Sequence, residues 1–365
     1  MTVPFVDLHR QYLSIQHEVD EAVRSVIAES AFIRGRFVTD FEREFAAAVG
    51  VRRCVSCANG TDALYIAMRA LELAPGDEVI TTAHSWISTS ETITQAGGSV
   101  VFADTDATTF TIDPRSVEAR ITERTVGIIP VHLYGQPADM DPILEIARRH
   151  GLWVIEDCAQ AHMAEYHGRR VGTMGVMATF SFYPGKNLGA MGDAGCLVTN
   201  DDRLADWAEL YARHGGKGEH LIEGINSRLD GMQAAILSAK LPHLGRWTAA
   251  RQRVATRYDA ALAGLDWLRT PTVAAGRTHV YHLYVIRAQR RDALRERLSG
   301  LGIGTMLNYP KALPFYPAYA RLGHAPADFP NAWAAQGEVL SLPMFPEMSE
   351  MEIDIVCDAI RDFGA

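Results

Sequence analysis

The chain has 365 residues, 48% hydrophobic and 22% charged, with a formal net charge of −9 and a pI near 5.8. The length is too great for one small core and suits a large domain plus a smaller one. An acidic balance without a long basic run speaks against a nucleic-acid surface, and no apolar run approaches the roughly 20 residues of a membrane-spanning helix.

Residues 1–10 are neither basic nor followed by an apolar signal core, so a cytoplasmic, membrane-free location is expected. Five cysteines, an odd and sparse number, do not make a disulfide framework. Cys54 and Cys57 form a C-x-x-C pair. They fall in a segment that looks like a buried strand, and no second pair exists to complete a metal site, so redox or metal use is disfavoured.

From about residue 50 to 200, short β-rich runs alternate with helical patterns. After the Cys54 strand comes Ala58-Asn59-Gly60-Thr61-Asp62-Ala63-Leu64, which opens a predicted helix reaching Leu71. Gly60 permits a tight turn, and the free N–H groups of a helix start can receive a phosphate, with the Thr61 hydroxyl adding a bond. An ordinary helix cap explains the same residues. The strand Val79–Thr81 leads to Ser85-Trp86, whose ring can stack on a flat heteroaromatic ligand or simply pack in a core.

Strands follow at 100–102, 126–129 and 152–155, with a helix over 140–150. Strands alternating with helices imply a mostly parallel sheet covered on both faces. Ligands bind such sheets at the edge formed by the strands' C-terminal ends. Glu156-Asp157-Cys158-Ala159-Gln160 directly follows one of these strands. A carboxylate there is placed to meet the pyridine nitrogen of pyridoxal phosphate (PLP), which is the better electron sink when protonated. Side chains alternate along a strand, so only one of the two acids faces a ligand. Gln160 is placed to bond a ring oxygen.

The strand Ala178-Thr179-Phe180 runs into Ser181-Phe182-Tyr183-Pro184-Gly185-Lys186-Asn187-Leu188-Gly189. The turn sets one lysine at the sheet edge, where desolvation lowers its pKa and suits it to form an imine with a carbonyl. Ser181 offers a second phosphate donor. The glycines at 189, 192 and 195 superficially resemble a dinucleotide loop. They precede an apolar, strand-like Cys196-Leu197-Val198 instead of a helix, and so lack the required context.

Beyond about residue 230 the pattern changes. Helices are expected over 229–244, 247–262, 291–299 and 351–363, with a strand over 282–287 and proline-rich breaks at 309–317 and 342–346. These read as a smaller α+β domain. The expected division is 1–245 for a large PLP-binding domain, N-terminal arm included, and 246–365 for the smaller one.

Taken together, these motifs resemble the DegT/DnrJ/EryC1/StrS family of PLP-dependent sugar aminotransferases, within the aspartate aminotransferase (type I) fold. The resemblance spans nearly the whole chain. It begins at residues 4–8 and takes in 59–64, 75–80, 130–135, 156–162, the lysine turn and 226–230. It implies that Lys186 is the Schiff-base lysine and that Asp157 is the pyridine partner. Gln160 would lie near the ring hydroxyl, Trp86 would stack on the ring, and Gly60, Thr61 and Ser181 would form the phosphate cup.

Asn226 matches a phosphate contact from a second subunit, which implies a homodimer with shared active sites. The implied chemistry is ping-pong transfer from L-glutamate, leaving 2-oxoglutarate, to a keto-sugar carried on a nucleotide. His162, Tyr183, Lys217 and Tyr309 are the substrate-side candidates. Asn308-Tyr309-Pro310 stands where many members have His-Tyr-Pro, which affects the sugar site most. Cys158 replaces a common alanine. Amination of a cyclitol, another PLP reaction on the same fold, and a non-catalytic regulatory protein are the alternatives; the intact lysine speaks against dehydration.

Overall fold

A computed structural model describes residues 2–216 and 218–364. Lys217, one of the substrate-side candidates, lies outside the described residues. Three helices lead: α1 (Leu8–Ser14), α2 (Gln16–Glu29) and α3 (Arg36–Val49). A seven-stranded sheet follows, from β1 (Arg53–Cys57), β2 (Glu78–Thr82), β3 (Ser99–Ala103), β4 (Thr125–Ile129) and β5 (Trp153–Asp157). After a small hairpin, β6 (Glu165–Tyr166) and β7 (Arg169–Arg170), it is completed by β8 (Met177–Ser181) and β9 (Gly195–Thr199). The spatial order is β1-β9-β8-β5-β4-β2-β3. The pairs from β3 across to β8 are parallel, and β9 runs antiparallel to both β8 and β1.

That arrangement matches the expected mostly parallel sheet. Its strands are buried on both faces; all five residues of β2 and of β9 are buried, as a sheet covered on both sides requires. The covering helices are α4 (Gly60–Ala70), α5 (Ser88–Gln95), α6 (Pro114–Glu118), α7 (Met140–His150), α8 (Asp202–Tyr211) and α9 (Gly231–Lys240). Because six of the seven strands run the same way, the loops after β1, β2, β4, β5 and β8 gather at one edge. There the candidate residues lie.

The helix expected over 229–244 is shorter. It ends at Lys240, a 3-10 turn over Leu241–His243 carries Pro242, and α10 (Leu244–Leu262) then begins. Proline lacks the N–H that a continuous helix needs and is tolerated only in a first turn. A second sheet of β10 (Leu268–Arg269), β11 (Tyr284–Ala288) and β12 (Val339–Leu342) is antiparallel. It packs with α11 (Arg291–Gly300) and α13 (Glu350–Gly364), while α12 (Pro330–Glu338) precedes β12. The cores interleave at the chain's ends. Val3 is bridged to Ile303 and lies in the core of the second sheet, while Ala312, Leu313, Tyr319 and Phe329 lie in that of the first. Among the described residues no helix is long and apolar enough to cross a membrane.

One packing unit matters directly for the site. Helix α3 buries Phe37, Phe41 and Phe45, spaced one turn apart on a single face. Phe45 meets Phe180 and Phe182 edge-to-face, each at 5.0 Å between ring centroids, and Phe41 meets Phe182 at 5.3 Å. These rings brace the end of β8 and the first residue of the lysine turn. Truncation to Phe45→Ala should lower stability by about 3–5 kcal/mol, read from the urea midpoint, because a fully buried ring with three aromatic neighbours leaves a cavity.

Candidate active site

The end of β1 meets the end of β8 at very short range. A Cβ added to Gly60 would lie 2.6 Å from Cβ of Ser181, so only glycine lets the start of α4 approach the lysine strand. Asn59 caps that helix, its side chain accepting from the Asp62 N–H at 2.8 Å. Asp62 in turn accepts from the Ser227 hydroxyl at 2.5 Å, and Ser227 Oγ accepts from the Ala58 N–H at 3.0 Å. The Thr61 hydroxyl bonds that of Ser88 at 2.7 Å. Small hydroxyls and main-chain N–H groups therefore line this corner, which suits a phosphate.

At the end of β5 the two acids point to opposite faces. Glu156 is fully committed: its carboxylate accepts from His132 Nε2 (3.0 Å) and from the N–H groups of Gly172 (2.9 Å), Met174 (2.7 Å) and Gly175 (2.8 Å). Burial opposes its charge, yet the bonds from His132 and these amides outweigh that and hold the carboxyl below its ordinary range. His132 Nδ1 accepts from the Ala138 N–H at 3.0 Å, so the other nitrogen carries the proton. His132, Glu156 and Cys158 lie close enough to suggest a metal cluster, but Glu156 and His132 are already occupied by one another and by the backbone.

Asp157 is 4% exposed and held only by neutral donors, the Thr89 hydroxyl at 2.9 Å and the Ala159 N–H at 3.1 Å. Burial pushes its carboxyl up, opposed by those bonds and by the charge of Lys186. A buried carboxylate with spare lone pairs is what a protonated pyridine nitrogen needs. Gln160 accepts from the Tyr134 N–H at 2.7 Å and donates to the Tyr309 hydroxyl at 2.7 Å. Tyr134 donates its hydroxyl to the Asn308 carbonyl and meets His84 Nε2 at 2.8 Å. Trp86 approaches Tyr309 at 5.9 Å between centroids and is 59% exposed, available as a platform.

Lys186 follows a tight turn in which its N–H donates to the Tyr183 carbonyl at 2.8 Å. Burial lowers the ammonium pKa to about 8, with Asp157 acting in the opposite direction. The lysine charge is felt by His162 and by His282. Both ring nitrogens of His162, and Nδ1 of His282, are buried without a hydrogen-bond partner among the described residues. His162 rests on Phe180 and Phe182, and burial brings its pKa down to about 3, so both rings next to the lysine are neutral.

Gly60, Thr61, Asp157, Gln160, His162, Ser181, Lys186 and Tyr309 thus gather at one edge. Tyr183, 60% exposed, stands on its rim, and Asn226 is exposed with its backbone bridged to Arg213. Sequence reasoning missed Thr89, His132, His84, Ser227 and His282. Ser227 adjoins a motif residue and was within reach; Thr89 and His282 carry no local signal.

A cup of hydroxyls and amides, a buried acid and a desolvated amine fit PLP. The family model for DegT/DnrJ/EryC1/StrS aminotransferases matches residues 13–361. The chain belongs to this family. A "pleiotropic regulatory protein" of Geobacillus stearothermophilus is 48% identical over 367 residues, spanning 100% of this chain and 99% of that relative. The dTDP-3-amino-3,4,6-trideoxy-alpha-D-glucose transaminase of Streptomyces venezuelae is 42% identical, spanning 99% and 96%. Among solved structures, S. venezuelae DesV in complex with a ketimine intermediate superposes with a TM-score of 0.97 at 41% identity, spanning 100% and 98%. This family member is a PLP-dependent aminotransferase.

The two acids at the end of β5 should separate cleanly on mutation. Glu156→Ala strands three N–H donors and a buried imidazole and should cost about 3–5 kcal/mol of stability. Asp157→Asn should leave the urea midpoint nearly unchanged while weakening PLP retention on dialysis. Equal losses of stability would contradict the division of roles.

Proposed function

We propose that this aminotransferase moves an amino group from L-glutamate to a keto-sugar carried on a nucleotide diphosphate, using Lys186 as its cofactor lysine. The observation that carries the assignment is the pairing of a desolvated Lys186 with a buried, neutrally bonded Asp157 on one sheet edge. PLP, when bound, supplies an electron sink that makes the carbon–hydrogen bond next to the nitrogen labile.

The protein's own groups do the rest. Asp157 holds a proton on the ring nitrogen, and Gln160, fixed by Tyr134 and Tyr309, orients the ring. Gly60, Thr61 and Ser181 receive the phosphate. Lys186, close to half neutral near pH 8, accepts the proton from one carbon and returns it to another; the neutral His162 and His282 beside it leave its charge uncontested. Trp86 covers the ring, and His162, Tyr183, Lys217 and Tyr309 are the side chains we assign to the substrate.

Support for the nucleotide-sugar substrate comes from the transaminase relative of S. venezuelae. We assign a homodimer on the exposure of Asn226 together with Phe32 (47%), Ile33 (57%) and Leu221 (66%), since Ile33 is bridged to Asp230 close to Asn226. Five buried, unpaired cysteines support a reducing, cytoplasmic location. A domain division near residue 245, where α9 hands over to α10, is part of the same proposal. The regulatory name of one relative favours a second reading, in which the protein acts by binding alone.

A spectrum of the purified protein with PLP separates the readings. L-Glutamate should bleach the imine band of the wild type, and Lys186→Ala should show no such band. A biological effect that survives Lys186→Ala would favour the regulatory reading. PLP capture by the apo-protein should slow about tenfold per pH unit below 8 and level off above it, because the neutral amine is the nucleophile and its fraction falls as pH drops below the lysine's pKa.

A further inference from the structure

Two buried cations, one at the lysine turn and one at the segment beside it, spend their hydrogen bonds on main-chain carbonyls. Lys240, at the end of α9 and 3% exposed, donates from Nζ to the Gly189 carbonyl at 2.7 Å. Arg251, on α10 and likewise 3% exposed, donates from Nη1 to the carbonyls of Met344 (2.9 Å) and Tyr281 (3.2 Å), with that of His282 at 3.5 Å. The charge of Glu347 reaches both. Its two carboxylate oxygens are buried and have no hydrogen-bond partner among the described residues.

Burying such charges is costly, and an apolar side chain of the same size is often the more stable choice. Burial lowers the Lys240 ammonium to about 8 and the Arg251 guanidinium to about 10. What the two cations secure is position. Gly189 closes the turn that starts at Tyr183: a Cβ there would lie 2.3 Å from the Pro184 carbonyl oxygen, so a hold on Gly189 is a hold on the whole turn. Tyr281 and His282 belong to the segment that Asn187, next to Lys186, grips by donating to the Val280 carbonyl at 2.9 Å. The cations therefore fasten the two backbone segments on either side of Lys186.

We infer that Lys240 and Arg251 are positioning residues for Lys186, clamping the exit of its turn and the His282 segment together so that the amine stays in a water-poor slot. The inference rests on the reading of Lys186 as the cofactor lysine. A looser turn admits water, and water favours the ammonium form. The groups facing the amine, Asp157, His162 and His282, keep their own side chains in the substitutions that test this; Arg251 touches one of them, through the His282 carbonyl, and Lys240 touches none.

The experiment uses the apo-protein in wild-type, Lys240→Met and Arg251→Lys forms. Lys186 is methylated reductively with formaldehyde and cyanoborohydride between about pH 6 and 10. Its modification is followed by peptide mass spectrometry, and the thermal midpoint is recorded in parallel. The expected result is a Lys186 profile displaced upward by about one pH unit, or about tenfold slower labelling at pH 7, with Lys240→Arg restoring most of the rate. An unchanged Lys186 profile in the variants overturns the inference, whatever the thermal midpoint does. Should one variant lack a cooperative transition, the other decides by the same criterion. Borohydride reduction of the PLP-loaded wild type is the control: a label away from Lys186 defeats the parent reading and this inference with it, whereas a label on Lys186 leaves the variants to judge the clamp alone.

Discussion

At the end of β5 the backbone's two-residue alternation sends neighbouring carboxylates to opposite sides of the sheet, and the two sides differ completely in what they offer. Glu156 finds three amides and a histidine, and becomes a structural pin joining β5 to the loop before β8. Asp157 finds one hydroxyl and one amide and keeps lone pairs for a ligand. A register slip of one residue would exchange these surroundings. The parallel pairing of Asp157 with Thr179 and of Glu156 with Ala178 prevents such a slip, and that pairing also brings the lysine turn alongside.

Around this point the site is assembled from loops that share only the direction of their strands. The sheet supplies the convergence, and side-chain packing supplies the precision. The phenylalanines of α3 brace Phe182 from one side, while Lys240 holds Gly189 from the other. Lys186 sits between these two anchors. Its lowered pKa follows from a turn that is fastened at both ends and cannot swing the amine into water. The same rigidity leaves His162 and His282 with unsatisfied nitrogens, a cost that packed proteins tolerate mainly where a site needs it.

The chain also shows how a small C-terminal region completes a site built by a larger one. Tyr309 reaches Gln160, and Val280 reaches Asn187, so both contacts at this sheet edge cross between sequence-distant regions. Neither sheet is a closed unit: Val3 joins the second core and Phe329 the first. Opening one core from the other would disturb the Gln160–Tyr309 contact and the lysine turn together.

Much was written locally. The alternation of β-rich and helical runs, the Gly60 turn opening a helix, the acid after a strand and the lysine in a glycine-flanked turn are short-range patterns, and short-range patterns are set by backbone sterics and periodicity. They determined the parallel sheet and the family. The three N-terminal helices and the break at Pro242 within the 229–244 segment were less legible, because amphipathic stretches are defined by what they pack against. That Glu156 is taken up by His132 and three amides, that Thr89 supports Asp157, that Lys240 holds Gly189 and that Arg251 holds the Tyr281–His282 segment were decided by tertiary structure alone. Those partners lie tens to hundreds of residues apart in the chain, and only the folded sheet edge brings them within hydrogen-bonding or electrostatic reach.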